Sequence, residues 1–392
     1  MSYQAILDRL FRMSASLEIR LNLEIPNLLA EHLDFPERAY PTIHVAGTNG
    51  KGSTVTKIAK ALELSGLKVG LYTSPHIASY RERITINGKE ITEKEIVKTM
   101  EGLFQFVDDN KIPATFFELT TLLAFDHFRA QKVDVAVIET GLGGRLDATN
   151  IVQPVLTVIT SISRDHADIL GQSLEEIGGE KAGILKEGVP LVLGPRALLS
   201  SILQKAEAKK CPVIRVPKTM GFYDEENCAI ARTALEYLTA YFPLTPHAIE
   251  EGLCARPPCR FEKRGEVIFD VAHNPDGFSR LIEALQTFHP KREIYALVGM
   301  CKDKEYARCL SMLSAYAKKI FLVRASSARA AEPEEMGKAL SSQGFDAFVC
   351  GKEISSTVVQ AAEEAKKHGA LLVICGSFYI MRDALLTASQ PS

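Results

Sequence analysis

The sequence predicts an α/β protein of two domains. An N-terminal phosphate-loop domain on a parallel sheet is expected over residues 1–254 and a smaller Rossmann-like α/β domain over 260–392, with a linker at 255–259. Three observations predict this. The short β-branched run Pro41-Thr42-Ile43-His44-Val45 leads into the glycine-rich Gly47-Thr48-Asn49-Gly50-Lys51-Gly52-Ser53-Thr54, and then into Val55, Ile58, Ala59 and Leu62 at helical spacing. Strand-like and helical patterns then alternate, the order of a parallel sheet with helices on its faces. Finally, Pro257 and Pro258 stand side by side where neither helix nor interior strand continues, and a fresh alternation begins beyond them.

The 392 residues are 46% apolar and 24% charged with a formal net charge of −2, which places the chain among ordinary globular proteins. That balance gives no support to a nucleic-acid partner. No apolar run approaches the ~18 residues that span a bilayer, and Met1-Ser2-Tyr3-Gln4 lacks the basic-then-apolar pattern of a secretory leader. The eight cysteines include no C-x-x-C pair, so no zinc site is expected, and several lie in apolar runs such as Val373-Ile374-Cys375 as reduced core residues. A cytoplasmic protein is the expectation.

Along the chain, Tyr3, Ile6, Leu7 and Leu10 predict an amphipathic opening helix, and Pro26, Pro36 and Pro41 break up residues 12 to 41. Strands are expected at 42–46, 67–72, 133–138, 155–162, 189–193 and 213–216. Helices are expected through Ile96 to Val107 and Leu119 to Phe128. In the second domain strands are expected at 267–271, 294–298, 320–323 and 371–375, with a helix through Phe278, Leu281, Ile282, Leu285 and Phe288.

A glycine-rich turn between strand and helix is a phosphate cradle, because converging N–H groups and the helix N-terminus favour anions. Lys51 can reach the terminal phosphates, and Ser53 or Thr54 can offer a hydroxyl to Mg²⁺. The spacing Gly47-x-x-Gly50-Lys51-Gly52-Ser53 departs from the common G-x-x-x-x-G-K-[ST] loop, yet a nucleoside triphosphate fits the strand and helix context better than a purely structural turn. Open α/β sheets gather ligands at strand carboxyl ends. There the strand 133–138 delivers Glu139, which reads as a metal ligand or as an exposed strand-end carboxylate. The strand 155–162 delivers Asp165 and His166, where a neutral imidazole can bind a metal and the neighbouring carboxylate can orient its ring. Ser173-Leu174-Glu175-Glu176 reads as a capping box, which puts Lys181 on a helix; on pattern alone it is a solvated lysine. Asp270-Val271-Ala272-His273-Asn274-Pro275 reads either as a capped turn or as a ligand site.

In their order, several stretches resemble the folylpolyglutamate synthase and dihydrofolate synthase family, relatives of the Mur peptide ligases. They are Gly47 to Ser53, Tyr72-Thr73-Ser74-Pro75-His76, Glu82-Arg83-Ile84, Phe117-Glu118-Leu119-Thr120, Glu139 to Asn150, Asp165-His166, Glu180 to Ile184, Asp270 to Pro275 and Gly376-Ser377. The resemblance covers nearly the whole chain. It implies ATP-driven amide formation: ATP phosphorylates a substrate carboxylate, the amine of L-glutamate attacks the acyl phosphate, and ADP and phosphate leave. By resemblance Gly47, Thr48, Asn49, Gly50, Lys51, Gly52 and Ser53 bind ATP, with Arg260 and Asp270 as contacts from the second domain. Ser74, Glu139, His166 and a carbamylated Lys181 hold two Mg²⁺ ions, and a monovalent cation beside them is allowed. Lys51, Lys181 and His273 serve the chemistry, while Pro75, His76 and Arg83 meet the folate. The implied site is a cleft between domains. The implied substrates are dihydropteroate, tetrahydrofolate or both, and L-glutamate, handled by a monomer. Three positions depart from the family pattern: Cys259 where Pro-Gly-Arg is usual, Val271 where Asp-Gly-Ala-His-Asn is usual, and Arg164 where a small or apolar residue is common.

Two other readings compete. A Mur enzyme acting on a UDP-linked sugar peptide would carry a UDP-binding domain before the loop, and the 46 residues preceding Gly47 are too few for one. A nucleotide-dependent switch or transport ATPase would leave the clusters at Lys181 and Asp270 without a use.

Overall fold

The computed structural model describes residues 1–15, 22–219 and 221–388. Among them the chain forms two compact units. One holds Met1–Ser163, Ala167–Thr219 and Asp224–Arg256; the other holds Pro257 onward and takes in Arg164–His166 and the segment ending at Tyr223.

The first unit carries an eight-stranded sheet. Its strands are β1 (Thr42–Ala46), β2 (Val69–Tyr72), β3 (Ile84–Ile86), β4 (Lys89–Glu90), β5 (Val135–Glu139), β6 (Leu156–Ser161), β7 (Leu191–Arg196) and β8 (Val213–Arg215), in the order β4-β3-β2-β5-β1-β6-β7-β8. β1 lies between β5 and β6 and is parallel to both, and all five of its residues are buried, as a strand covered on both faces requires. The helix Lys51–Leu64 lays Val55, Ile58, Ala59 and Leu62 into one cluster with Val45, Val137 and Val158. Against the other face, the helices Glu93–Asp109 and Phe116–Ala130 bury Met100, Leu103, Leu122 and Phe125 with Tyr72 and Ile138. Each of these two helices opens with a capping box, Thr92 with Glu95 and Thr115 with Glu118.

On the helix Lys51–Leu64 the fully buried Lys57 donates to Asp224 at 3.2 Å and to the carbonyls of Leu253 and Ala255 at 2.7 and 2.9 Å. A buried ammonium needs such compensation. It ties the helix after the phosphate loop to the last residues before Pro257.

The second unit carries a six-stranded sheet of β9 (Glu262–Arg264), β10 (Val267–Phe269), β11 (Ile294–Val298), β12 (Lys319–Leu322), β13 (Phe348–Cys350) and β14 (Leu371–Cys375), in the order β13-β12-β11-β14-β10-β9. The helix Pro275–Phe288 starts at an Asn274 cap and buries Phe278, Leu281 and Leu285 in the core; Phe288, expected on the same face, is half exposed.

Both sheets differ from the all-parallel expectation at one edge, where antiparallel hairpins β3–β4 and β9–β10 attach. Asn87 and Gly88, with φ of +47° and +71°, form the tight turn of the first hairpin, and Gly265, with φ of +59°, opens the second. β3, β4 and β9, of two or three residues each, are too short to stand out as apolar runs. Of the family departures, Cys259 adopts φ of +56°, the left-handed region that favours glycine, while fully buried. Its carbonyl accepts from the N–H of Val271 at 3.0 Å, so two departing residues meet through one backbone hydrogen bond. Arg164 is exposed.

Candidate active site

The phosphate loop is braced from behind by the end of β6. Thr48 N–H donates to the Ser161 carbonyl at 2.7 Å and Asn49 N–H to Ser161 Oγ at 3.1 Å, while Thr160 Oγ1 and Ser161 Oγ donate to the Asn49 carbonyl at 2.7 and 3.0 Å. Thr48 and Asn49 thus hold the loop in shape through their backbone. The part of the loop suited to an anion is the helix N-terminus, whose Gly50 cap, at φ of +87°, provides no side chain. Glycine is required twice: a Cβ on Gly47 would lie 1.9 Å from Thr160 Oγ1, and one on Gly50 would lie 2.4 Å from Asn227 Oδ1. Thr160, Ser161 and Asn227 were not among the residues expected from sequence. The register of β6 beside β1 is the signal that finds the first two.

Two ammonium groups converge on this loop. Lys51 Nζ donates to the carbonyls of Gly47 and Thr48 at 3.1 and 3.2 Å, and Lys181 Nζ donates to the same Gly47 carbonyl at 2.9 Å. Lys181 is 5% exposed, so its pattern-based reading as a solvated lysine fails. The capping box at Ser173 and Glu176 forms as expected, but the helix Leu174–Lys181 points its last residue inward, at the loop.

Glu139, at the end of β5, is buried rather than an exposed strand end. It pairs in register with Val45 of β1, and its Oε2 accepts from Ser74 N–H at 3.1 Å. Strand pairing therefore brings Glu139, Ser74 and the phosphate loop to one sheet edge. A carboxylate and a hydroxyl are hard oxygen donors of the kind Mg²⁺ takes, and ammonium groups such as those on the Gly47 carbonyl are of the kind that suits phosphate.

Asp165 and His166 follow β6 in sequence but pack within the second unit. Lys304 Nζ donates to Asp165 Oδ1 at 2.6 Å and lies 3.0 Å from His166 Nε2; Asn274 Nδ2 donates to Asp165 Oδ2 at 3.1 Å. The Asp165 carboxylate was expected to orient the His166 ring. It stands 3.9 Å from His166 Nε2 instead, because the Lys304 ammonium occupies the space at both. Burial and then the Lys304 charge lower the His166 pKa to about 4, so the ring is neutral, the form that ligates a metal. Burial alone would raise the Asp165 pKa, but His273 and Lys304 hold it far below the usual carboxylate range. Lys304 is a fourth residue missed from sequence; its place after β11, at a carboxyl end of the sheet, is the clue.

Nearby in the same unit, His273 Nδ1 donates to the Val271 carbonyl at 2.9 Å, and its Nε2 lies 3.6 Å from Asp165 Oδ2. The Arg260 guanidinium stands 5.0 Å from the Phe378 ring centre, against which His273 also packs at 5.7 Å. Asp270 is buried, and burial outweighs its hydrogen bonds to raise its pKa. Its oxygens accept from Tyr223 Oη at 2.8 Å and from Phe261 and Ala272 N–H at 2.9 and 2.8 Å. Asp270 thereby fixes the turn that presents Arg260.

Back in the first unit, Arg83 Nε donates to His76 Nδ1 at 2.7 Å, with its guanidinium 5.1 Å from the Phe116 ring centre. Tyr80 and Phe11 lie against that ring at 5.9 Å each. Pro75 precedes His76 at the end of the same segment. Among the described residues no three His, Cys, Asp or Glu side chains form a metal cluster, and no helix is long and apolar enough to cross a membrane.

Comparison with known proteins bears on this geometry. Residues 45–234 match the Mur ligase middle domain and residues 259–378 the Mur ligase glutamate ligase domain. The chain is 33% identical to the dihydrofolate synthase/folylpolyglutamate synthase of Bacillus subtilis, over 91% of this chain and 92% of that one. Its fold is similar to that of Escherichia coli FolC in complex with DHPP and ADP, with a TM-score of 0.88, 30% identity and 97% of each chain covered. It is equally similar to a bifunctional folylpolyglutamate synthase/dihydrofolate synthase with Mn, AMPPNP and L-glutamate bound, with a TM-score of 0.87, 32% identity, and 100% of this chain and 98% of that one covered. The chain belongs to the dihydrofolate synthase/folylpolyglutamate synthase family of Mur-type ligases.

Proposed function

We propose that the enzyme joins L-glutamate to dihydropteroate and to reduced folates, using ATP to turn the substrate carboxylate into an acyl phosphate. The observation that carries this is the meeting of Lys51 and Lys181 on the Gly47 carbonyl, beside a helix N-terminus and the Ser74–Glu139 pair. A carboxylate resists an amine until one of its oxygens becomes a leaving group, and transferring phosphate to it needs cations and fixed donors around the developing charge. Lys51 and the first-turn N–H groups of the helix bind the triphosphate. Ser74, Glu139 and His166 are the proposed Mg²⁺ ligands; the ion, when bound, screens the phosphates from the incoming carboxylate. A carbamate on Lys181 would replace a cation with an oxygen pair suited to a second ion. Arg260, presented by Asp270, contacts the nucleotide, and His273 lies toward the reacting end. Pro75, His76 and Arg83 face the folate. The enzyme works as a monomer in the cytoplasm on small molecules.

The test is ADP release from purified protein with each substrate omitted in turn. Release is expected only when a pteroate or folate acceptor and L-glutamate are both present. Release with neither would favour a switch or transport ATPase. The Lys181→Ala variant is expected to lose most activity, and acetate or formate to restore part of it; an active variant would return Lys181 to a structural role.

A further inference from the structure

Arg83 is a buried cation that the protein itself leaves without an anion. The residue is 7% exposed, and among the described residues no carboxylate pairs with it. The neighbouring Glu82 is engaged elsewhere: its Oε2 accepts from Ile77 N–H at 2.8 Å and its Oε1 from Ala78 and Ser79 N–H at 2.9 and 2.6 Å. His76 takes the Nε–H of Arg83. The two terminal nitrogens of the guanidinium remain as a fork, the geometry that binds a carboxylate through two parallel hydrogen bonds. A buried guanidinium is costly unless such a partner arrives.

Its position narrows the partner. The Arg83 carbonyl accepts from Thr73 N–H at 3.0 Å, one residue before the Ser74 that holds Glu139. Arg83 therefore sits beside the carboxyl end of β2, next to the segment that meets Glu139, with Phe116 as an aromatic wall for its guanidinium. A carboxylate about to attack phosphorus must present a free lone pair, and a bidentate guanidinium would withdraw that electron density. A carboxylate held on Arg83 would then be one that does not react. Dihydropteroate has one carboxylate, the reacting one; a folate ending in glutamate has two, and the α-carboxylate is spare.

Building on the ligase reading above, we infer that Arg83 binds the α-carboxylate of the terminal glutamate of folate substrates and so sets the balance between folate extension and dihydropteroate ligation. Replacing Arg83 then harms one activity more than the other, through KM more than kcat. A clamp that only holds Phe116 and His76 in place would harm both alike.

The experiment measures kcat and KM with tetrahydrofolate and with dihydropteroate for the wild type, Arg83→Gln and Arg83→Lys. It adds a tetrahydrofolate analogue whose α-carboxylate is an amide. The expected loss in kcat/KM of Arg83→Gln is at least about tenfold larger for tetrahydrofolate than for dihydropteroate, with Arg83→Lys recovering little because a point charge lacks the fork. The wild type is expected to discriminate against the amide by about 10- to 100-fold, and Arg83→Gln to lose that discrimination. Equal losses on the two substrates, or a wild type that uses the amide as well as the acid, overturn the inference; the amide comparison stands even if a variant fails to fold. A wild type that turns over neither substrate overturns the ligase reading and this inference with it, a pattern distinct from equal losses.

Discussion

His44 sits in the middle of β1, fully buried, with Nε2 2.8 Å from Thr149 Oγ1. Thr149 Oγ1 in turn donates to Asp147, so the proton of His44 belongs on Nε2. Burial, and next the charge of Lys186, lower its pKa from 6.5 to about 3. The folded chain refuses a proton that the unfolded chain accepts below pH 6.5. Stability contributed by the neutral ring is therefore fully present above pH 6.5 and is lost as pH falls toward 3. Asp147 works the other way, since burial raises its carboxyl pKa. His44→Asn keeps an N–H donor but does not titrate. It is expected to be less stable than the wild type at pH 7 by about 1–2 kcal/mol, yet to show a flatter decline between pH 6.5 and 4 in urea unfolding. Parallel declines would show that His44 is not the group responsible. At this scale the sequence was least informative. Lys181 has the pattern of a surface residue and became visible only through resemblance, because its burial depends on where the helix ends against the loop. Lys304, Thr160 and Asn227 carry no local motif at all; their places come from strand order and packing.

Among elements, the loop and helix after β1 were legible because strand, glycines and apolar helix face are all local patterns. The sequence does not say which glycines the backbone requires. Gly50 and Gly66 flank the helix Lys51–Leu64 with nearly equal φ, +87° and +89°, but a Cβ on Gly50 meets Asn227 Oδ1 at 2.4 Å and one on Gly66 meets nothing within 4 Å. Gly66→Ala is expected to cost only the left-handed penalty, about 1–2 kcal/mol, with ATP turnover intact. Gly50→Ala adds displacement of Asn227 and is expected to cost more stability and to reduce ATP turnover sharply. Thermal unfolding and ADP release on the two variants separate the effects; equal behaviour would mean the contact with Asn227 relaxes freely. The central strands were readable as apolar runs, and their ends shifted by at most three residues. The edge strands β3, β4 and β9 were missed although Asn87-Gly88 is a turn signal, since two or three paired residues leave no period to count.

At the scale of the whole molecule, the order of motifs carried the family, and the double proline marked the break between two alternations of strand and helix. The path of the chain is less simple than a linker suggests. It enters the second unit twice before reaching Pro257, at Arg164–His166 and at the segment ending in Tyr223. These short visits bring Asp165 to Lys304 and Asn274, Tyr223 to Asp270, and Phe222 against Phe261 and Phe288 at 5.4 and 5.2 Å. A fragment spanning 257–392 lacks all three. Losing Asp165 alone leaves the Lys304 ammonium, with its side chain 10% exposed, without its carboxylate, a change that typically costs about 3–5 kcal/mol when one partner of a buried pair is removed. The fragment is expected to melt far below the intact protein, or without a cooperative transition; equal melting temperatures would show that the visiting segments are dispensable. Recombination feels the same constraint. A chimera cut at the double proline would set one parent's Asp165 and Tyr223 against the other's Lys304 and Asp270, whereas a graft that carries two short upstream pieces along with the C-terminal half keeps each pair from one parent.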